Sequence, residues 1–159
     1  MKDKLQELLL SQNEGVLTIT LNRPEARNAL TFEMYKNLES ICKKAGTVND
    51  QQGIKVIIIS GAGDKAFAAG TDIGQFTEFK SIDNGHDYEA EIDRVITSIE
   101  TCQVPVIAAL HGAVTGGGLI IAAAAHLRLA SADVKIGMPI ARTLGCLLYT
   151  SPSPRDATL

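Results

Sequence analysis

A cluster of glycines interrupts a long apolar stretch of the chain. The cluster separates the β-like segment 105–110 from the alanine-rich segment 119–125, and it comprises Gly112, Gly116, Gly117 and Gly118. The first amides of a helix have no intrahelical partner and lie at the positive end of the helix dipole. Glycines there allow close approach of an anion, or of an oxygen that becomes one during a reaction. The sequence therefore predicts either a binding turn or a tight packing turn at this point.

Composition narrows the classes of protein to which the chain can belong. The chain has 159 residues, is 45% hydrophobic and carries a net charge of −3, which indicates one globular domain with a real core. The slightly acidic balance favours neither nucleic acid nor an anionic membrane as partner. The three cysteines are widely spaced, so we predict a reduced, cytoplasmic setting, and neither they nor the histidines show the spacing of a metal site. We expect no targeting segment at the N-terminus.

Alternating strand and helix patterns predict an α/β protein. The predicted strands cover 16–21, 54–60, 105–110, 127–130 and 134–137, with 54–60 fully covered. A helix capped by Thr31 is predicted to reach residue 45, and further helices cover 89–102 and 119–125. Residues 61–72 are predicted to form a loop, followed by a polar stretch to residue 87.

The last residues do not continue any of these patterns. Residues 146–159 contain two prolines at alternate positions, which exclude a helix or a central strand. This peptide resembles the translation of a sequencing-library adapter. We therefore predict a domain at 1–145 and a non-native tail at 146–159, with a genuine disordered tail as the alternative.

Two predicted loops each follow a strand. One contains the sequence Ala66-Phe-Ala-Ala-Gly-Thr-Asp72, and the other is the glycine cluster. If the two strands are neighbours, both loops emerge at the edge of the sheet where open α/β sheets bind ligands. Each loop could then offer one backbone amide to the same oxygen, as in an oxyanion hole.

These motifs resemble the crotonase, or enoyl-CoA hydratase/isomerase, superfamily. The matching segments are Phe67-Ala-Ala-Gly-Thr-Asp-Ile73 and the run from Pro105 to Gly118. Segment 21–30, with the sequence LNRPEARNAL, resembles the first coenzyme A loop of that family, and segment 130–139 resembles its next landmark. The resemblance extends in the right order from about Gly15 to Gly145.

The resemblance implies a fold and a set of site residues. The fold is an α/β crotonase-like ββα spiral, here incomplete at the C-terminus. The amides of Thr71 and Gly117 would hold the thioester carbonyl oxygen as the catalytic pair, with Arg23 and Arg27 near the coenzyme A phosphates. The acyl-CoA would be bound by Glu25, Ala26, Arg27, Asn28, Ala69, Gly70, Asp72, Ile73 and Gly116.

The chain departs from the family where hydratases carry two glutamates. The corresponding positions hold Ile120 and Ile140. Water addition needs one group to activate water and another to deliver a proton, and isoleucine can do neither. The resemblance therefore implies stabilisation of a thioester enolate, by an isomerase, a related enolate-forming enzyme or a divergent hydratase.

Other polar residues near these motifs have competing interpretations. For Asp72 we favour hydrogen bonds within its own turn over catalysis, and for His111 a structural hydrogen bond. Thr115 could present a hydroxyl near the carbonyl, and the catalytic base could also lie beyond Gly145.

Two functions compete with an enolate-forming enzyme. One is a catalytically silent acyl-CoA-binding member of the superfamily. The other is a nicotinamide dehydrogenase, because Gly61-Ala-Gly-Asp-Lys-Ala66 fits the dinucleotide fingerprint, with Asp83 at a plausible distance. The dehydrogenase is disfavoured, since no helical periodicity follows the glycines.

The resemblance also implies partners. We expect an acyl-CoA thioester as substrate, no cofactor other than the coenzyme A of that substrate, and no metal, nucleic acid or membrane. The intact protein is expected to be a homotrimer or homohexamer. The fragment alone is expected to be poorly stable and inactive, because a partial core leaves apolar surface uncovered.

Overall fold

The computed structural model describes residues 7–78 and 81–138. Its strands are β1 Leu8–Asn13, β2 Val16–Leu21, β3 Val56–Gly61, β4 Ala66–Ala69, β5 Val106–Leu110, β6 Ala113–Thr115, β7 Leu127–Ala130 and β8 Lys135–Gly137. Its α-helices are α1 Phe32–Lys44, α2 Ile82–Glu100 and α3 Gly117–Ala124, and short 3-10 helices cover Pro24–Ala26 and Ile73–Glu78.

Two sheets organise these elements. The larger has the strand order β1-β2-β3-β5-β7, and the smaller has the order β4-β6-β8. All pairs are parallel except the antiparallel pair β1–β2. The order strand, strand, helix occurs in β3-β4-α2 and again in β5-β6-α3, and each such unit places one strand in each sheet. The α/β class and the ββα spiral are thus confirmed.

The hydrophobic core forms where every second side chain of the strands packs against the helices. Strand β2 buries Leu17, Ile19 and Leu21, as its alternating pattern predicts. Strand β3 buries Ile57 and Ile59, while its other face is only half-buried, so the prediction of a fully covered strand was wrong. Helices α1 and α2 add inward rows that include Met34, Leu38, Cys42, Val95 and Ile99.

Most predicted elements are confirmed, with corrections at four places. Strand β4 lies within the predicted loop 61–72, and β6 lies within the glycine cluster. Helix α2 begins seven residues earlier than the predicted start at Glu89, because Ser81 and Asn84 form a capping box ahead of it. Strand β1 was not predicted, and five of its six residues are exposed.

The region after Gly61 excludes the dinucleotide-binding interpretation. A dinucleotide fingerprint requires a helix directly after the glycine turn. Here the turn leads into strand β4 instead. Within residues 7–78 and 81–138, no helix is both long and apolar enough to cross a bilayer.

Candidate functional site

The two predicted loops meet in the structure. Strands β4 and β6 are parallel neighbours with Ala69 opposite Thr115, so the residues after each strand lie side by side. A Cβ placed on Gly117 would lie 3.4 Å from the amide nitrogen of Thr71. A Cβ placed on Gly116 would lie 3.3 Å from the Cα of Gly70.

The amides of Thr71 and Gly117 are both unused by the fold. A parallel bridge joins Thr71 to Leu30, but its hydrogen bonds use the amides of Leu30 and Asp72. Gly117 is the first residue of α3, after the N-cap Gly116, so its amide has no partner within the helix. No hydrogen bond joins either amide to another described residue. Two unpartnered donors in adjacent backbone segments can together bind one oxygen.

Close packing explains why glycine occupies this turn. A Cβ on Gly117 would overlap the Tyr35 hydroxyl, and a Cβ on Gly118 would overlap the carbonyl oxygen of Ala68. Gly70 and Gly116 have φ angles of +99° and +51°, which side chains rarely adopt. The prediction of a tight packing turn is therefore confirmed, and the same packing brings the two amides together, while a binding turn stays a prediction.

A chain of hydroxyl groups lies against the Thr71–Gly117 pair. The Tyr35 hydroxyl is 2.9 Å from Thr71 Oγ1, which is itself 2.9 Å from the Tyr88 hydroxyl. Burial raises the pKa of both tyrosines, so they stay neutral and can donate hydrogen bonds. The Tyr88 ring packs edge-on against Phe76, with ring centroids 4.9 Å apart.

Segment 23–28 is held next to this site by the side chain of Asn28. Asn28 is fully buried, and its amide nitrogen donates to the carbonyls of Ala62 (2.9 Å) and Ala66 (2.8 Å). Its side-chain oxygen accepts from the backbone of Arg23 at 3.0 Å. Arg27 and Asn28 have φ angles of +51° and +55°, a conformation that asparagine tolerates well. Asn28 thus positions the loop and is inaccessible to a ligand.

An ion pair links the same segment to the loop that carries Thr71. Arg23 Nη2 lies 2.7 Å from Asp72 Oδ2, and Arg23 Nη1 donates to the carbonyl of Ala29 at 2.6 Å. The hydrogen bond from Arg23 holds the pKa of Asp72 below its usual value. Asp72 also accepts from the amide of Gly74 at 3.1 Å, as expected for a residue that stabilises its own turn. The structure therefore commits the guanidinium of Arg23 to the protein, whereas we expected it near phosphates.

Two adjoining clefts lie beside segment 24–28. One, of about 290 Å³, includes Glu25, Arg27 and Asn28 in its lining, and the other, of about 400 Å³, is lined by Gly112, Ala113 and Asp133. Both clefts share the three side chains of Arg27, Asp64 and Lys65, and the second adds Lys135. Arg27, Lys65 and Lys135 are exposed, and the three carboxylates of Glu25, Asp64 and Asp133 line the same clefts, so the cations face both a ligand and these acids.

The structure brings most of the predicted site residues to one edge of the molecule. Ala69, Gly70, Thr71 and Asp72 adjoin Gly116 and Gly117, whereas Ile73 is 76% exposed. Glu25, Ala26, Arg27 and Asn28 belong to the segment beside them. Ile120 is half-buried on α3, and Ile140 lies outside the described residues.

Several residues that surround the site were not predicted. They are Tyr35, Lys65, Tyr88 and Lys135, and Glu91, which we expected to be solvated, instead buries its Oε1 atom. No local signal marks them, because they come from helices and loops whose contacts depend on the tertiary fold.

The histidines do not form a metal site in the described part of the chain, where no group of three or more His, Cys, Asp or Glu side chains could hold a metal ion. His126 Nδ1 accepts from the amide of Val106 at 2.9 Å, which is a structural role. His111 Nε2 is buried without a hydrogen-bond partner among the described residues, so the structural hydrogen bond that we expected for it is not seen.

Comparisons with known proteins place the chain in a family. Residues 11–147 match the family described as enoyl-CoA hydratase/isomerase. The chain is 32% identical over 136 residues to the short-chain-enoyl-CoA hydratase of Clostridium acetobutylicum, covering 86% of this chain and 51% of that protein. It is also 32% identical to the mitochondrial 3-hydroxyisobutyryl-CoA hydrolase of Gallus gallus, covering 86% of this chain and 35% of that protein.

Solved structures show the same relationship. A crystal structure of an enoyl-CoA hydratase/carnithine racemase from Magnetospirillum magneticum superimposes with a TM-score of 0.79 at 33% identity, covering 90% of this chain and 53% of that one. The chain spans about half the length of the first curated relatives that it matches. The family match and the shared fold lead to one conclusion: this chain belongs to the enoyl-CoA hydratase/isomerase family.

Proposed function

We propose that the protein binds an acyl-CoA and stabilises a thioester enolate through the backbone amides of Thr71 and Gly117. The observation that carries this proposal is the pair of unpartnered amides in adjacent segments. When a proton leaves the carbon next to a thioester, negative charge moves onto the carbonyl oxygen. Fixed N–H donors stabilise that charge more than the neutral ground state, and each is typically worth roughly 3–4 kcal/mol in rate.

Exposed cations in the clefts beside segment 24–28 support coenzyme A as the carrier of the acyl group. Arg27, Lys65 and Lys135 present three exposed cations, and Lys65 and Lys135 lie where strands β4 and β8 begin, whereas the amide pair follows the ends of β4 and β6. Coenzyme A carries phosphates, which such cations bind by charge-assisted hydrogen bonds. Residues 25–27, 69, 70, 72, 73 and 116 would then form the path from the phosphates to the thioester, and the buried Asn28 would hold the first of these segments in place.

We further propose that the reaction is an isomerisation or another reaction through an enolate. Ile120 bears on the choice of reaction, because it places an apolar side chain on helix α3, which directly follows the amide pair. The related proteins include both a hydratase and a hydrolase by name, so family membership alone does not select a reaction. Coenzyme A enters as part of the substrate, the oligomer would be a homotrimer or homohexamer, and the location would be cytoplasmic.

A catalytically silent acyl-CoA-binding protein is the second candidate. It is favoured by Ile120, which leaves α3 without an acid or base three residues after Gly117. This candidate predicts acyl-CoA binding without exchange of the protons next to the carbonyl. An enolate-forming enzyme predicts both acyl-CoA binding and exchange of these protons.

Hydrogen bonding of the two amides to the thioester carbonyl can be tested with two ligands that differ at one position. Butyryl-CoA has a thioester carbonyl, whereas S-butyl-CoA, a thioether, has the same nucleotide and chain length without it. Two hydrogen bonds at about 1 kcal/mol each predict that the chain binds the thioester roughly 10- to 100-fold more tightly, measured by isothermal titration calorimetry. Equal affinities would contradict the oxyanion hole, and no binding of either ligand would contradict the acyl-CoA site.

A further inference from the structure

Helix α2 carries a carboxylate that the fold does not use. Oε1 of Glu91 is inaccessible to solvent and has no hydrogen-bond partner among the described residues. Glu91 lies three residues after Tyr88, whose hydroxyl reaches Thr71, and four before the buried Val95. This spacing puts Glu91 on the inward face of α2, beside the hydroxyl chain.

The surroundings of Glu91 connect it to the candidate oxyanion hole. Burial is the main cause of the raised pKa of Tyr88 and Tyr35, and the negative charge of Glu91 adds to it, which indicates that the Glu91 carboxylate lies near both hydroxyls. The Tyr35 hydroxyl in turn packs against the Cα of Gly117. Helix α2 contacts both α1 and α3, which brings these groups together.

Leaving a buried carboxylate oxygen without a donor is unfavourable for folding alone. A buried polar atom without a hydrogen bond costs on the order of 1–3 kcal/mol, and more when it is charged. Asp72 is already engaged by Arg23. Glu91 is therefore available for a role that requires an unpaired carboxylate, and a catalytic role is one of the explanations for an unsatisfied buried polar atom in a native fold.

We propose that Glu91 is the acid–base residue of the acyl site, a role that rests on the proposed acyl-CoA function. Because Oε1 is closed to solvent while the side chain as a whole is half-buried, the other carboxylate oxygen would accept the proton from the carbon next to the thioester carbonyl. The electron pair of the broken C–H bond would move onto the carbonyl oxygen, held by Thr71 and Gly117. In a β,γ-unsaturated acyl group the same proton would return at the γ-carbon, shifting the double bond without any co-reactant.

The test measures exchange and affinity separately in the intact protein that contains this chain, because the 159-residue fragment alone is expected to be poorly stable and inactive. Exchange of the α-protons of butyryl-CoA is followed by NMR in D₂O, and affinity for butyryl-CoA by calorimetry. The variant Glu91→Gln keeps the shape of the side chain but removes its basicity. We expect exchange to fall at least about 100-fold, as general acid–base catalysis requires, while the dissociation constant changes less than about threefold.

Two more variants separate this role from a structural one. Glu89→Gln changes an exposed glutamate on the same helix and is expected to leave both measurements unchanged. Glu91→Asp keeps the charge but moves it back by one methylene, so it is expected to retain more exchange than Glu91→Gln. If Glu91→Gln does not fold, Glu91→Asp decides the question: exchange must fall at least about tenfold at unchanged affinity.

The outcomes separate this proposal from the function on which it rests. Unchanged exchange in Glu91→Gln, or binding without exchange in the wild-type protein, would overturn the role of Glu91 while leaving acyl-CoA binding intact. Failure of the wild-type protein to bind butyryl-CoA would overturn the proposed function itself.

Discussion

The Tyr35 hydroxyl lies 2.9 Å from Thr71 Oγ1, so helix α1 directly contacts the loop that carries one of the two candidate oxyanion amides. The same hydroxyl occupies the space where a Cβ on Gly117 would lie. A single side chain therefore contacts both halves of the candidate hole. The distance between the two amides depends on this contact as well as on the pairing of β4 with β6.

Substitutions at Tyr35 and Gly117 are predicted to be coupled. Gly117→Ala should destabilise the protein, because the new methyl group overlaps the Tyr35 hydroxyl. In a Tyr35→Phe background that overlap is removed, so the added cost of Gly117→Ala should be smaller by about 1 kcal/mol or more. A double-mutant cycle from urea unfolding measures the coupling. Additive effects would show that the hydroxyl does not constrain Gly117.

The ion pair between Arg23 and Asp72 predicts a pH dependence of stability. Because the pKa of Asp72 is lowered in the folded state, the pair stabilises the protein above the unfolded-state pKa of about 3.9. That contribution is lost as the pH falls through the lower, folded-state pKa. Asp72→Asn should therefore cost about 1 kcal/mol at pH 7, and the difference from wild type should shrink below about pH 4.

Urea unfolding at several pH values measures this difference. The matched control is Asp93→Asn, which changes an exposed carboxylate on α2. A cost for Asp72→Asn that is the same at pH 7 and in acid would argue against the ion pair as its cause.

Asn28 is predicted to be among the least replaceable residues of the described chain. Asn28→Ala would remove three hydrogen bonds from a fully buried position and leave two carbonyls unsatisfied. We expect a loss of about 3 kcal/mol in the free energy of unfolding. Asn28→Asp preserves the shape but cannot donate to Ala62 and Ala66, so it should be similarly destabilising. The exposed residue Asn37 offers the control Asn37→Ala, and a comparable loss there would refute the argument.

Two glycine-to-alanine substitutions are predicted to have opposite effects. At Gly118 the added methyl group would overlap the backbone of Ala68, so Gly118→Ala should cost about 3 kcal/mol or more. At Gly85, inside α2, a Cβ would meet nothing within 4 Å, so Gly85→Ala should stabilise by up to about 1 kcal/mol through helix propensity. Thermal unfolding followed by circular dichroism distinguishes them. Equal shifts of both variants would contradict the packing at Gly118.

The strands and helices that follow simple periodic patterns were predictable from the sequence. The alternation in 16–21 gives β2 with the predicted bounds, and Thr31 caps α1 by accepting from the amide of Met34. Strands β4 and β6 were missed because they are short and contain alanine and glycine neighbours, so their pairing depends on the tertiary fold. The early start of α2 was missed because its first turns are polar.

The residues of the candidate site also divide into those that the sequence predicts and those that depend on the tertiary fold. Thr71 and Gly117 were predictable because each lies in a recognisable local motif, and their proximity follows from parallel neighbouring strands. Tyr35, Tyr88 and Glu91 were not, since their contacts join segments that are far apart in the sequence. The structural use of Arg23 was also missed, because nothing in the sequence shows that Asp72 lies within reach of its guanidinium.

The amide pair makes a direct spectroscopic prediction about the bound thioester. Isotope-edited infrared difference spectroscopy with [1-¹³C]butyryl-CoA isolates the carbonyl stretch of the ligand on the protein. If the amides of Thr71 and Gly117 both donate to the carbonyl oxygen, the C=O bond is weakened, and its band should lie at lower frequency than in free butyryl-CoA. A bound ligand whose carbonyl band coincides with that of the free thioester in water, or lies above it, would contradict the oxyanion hole.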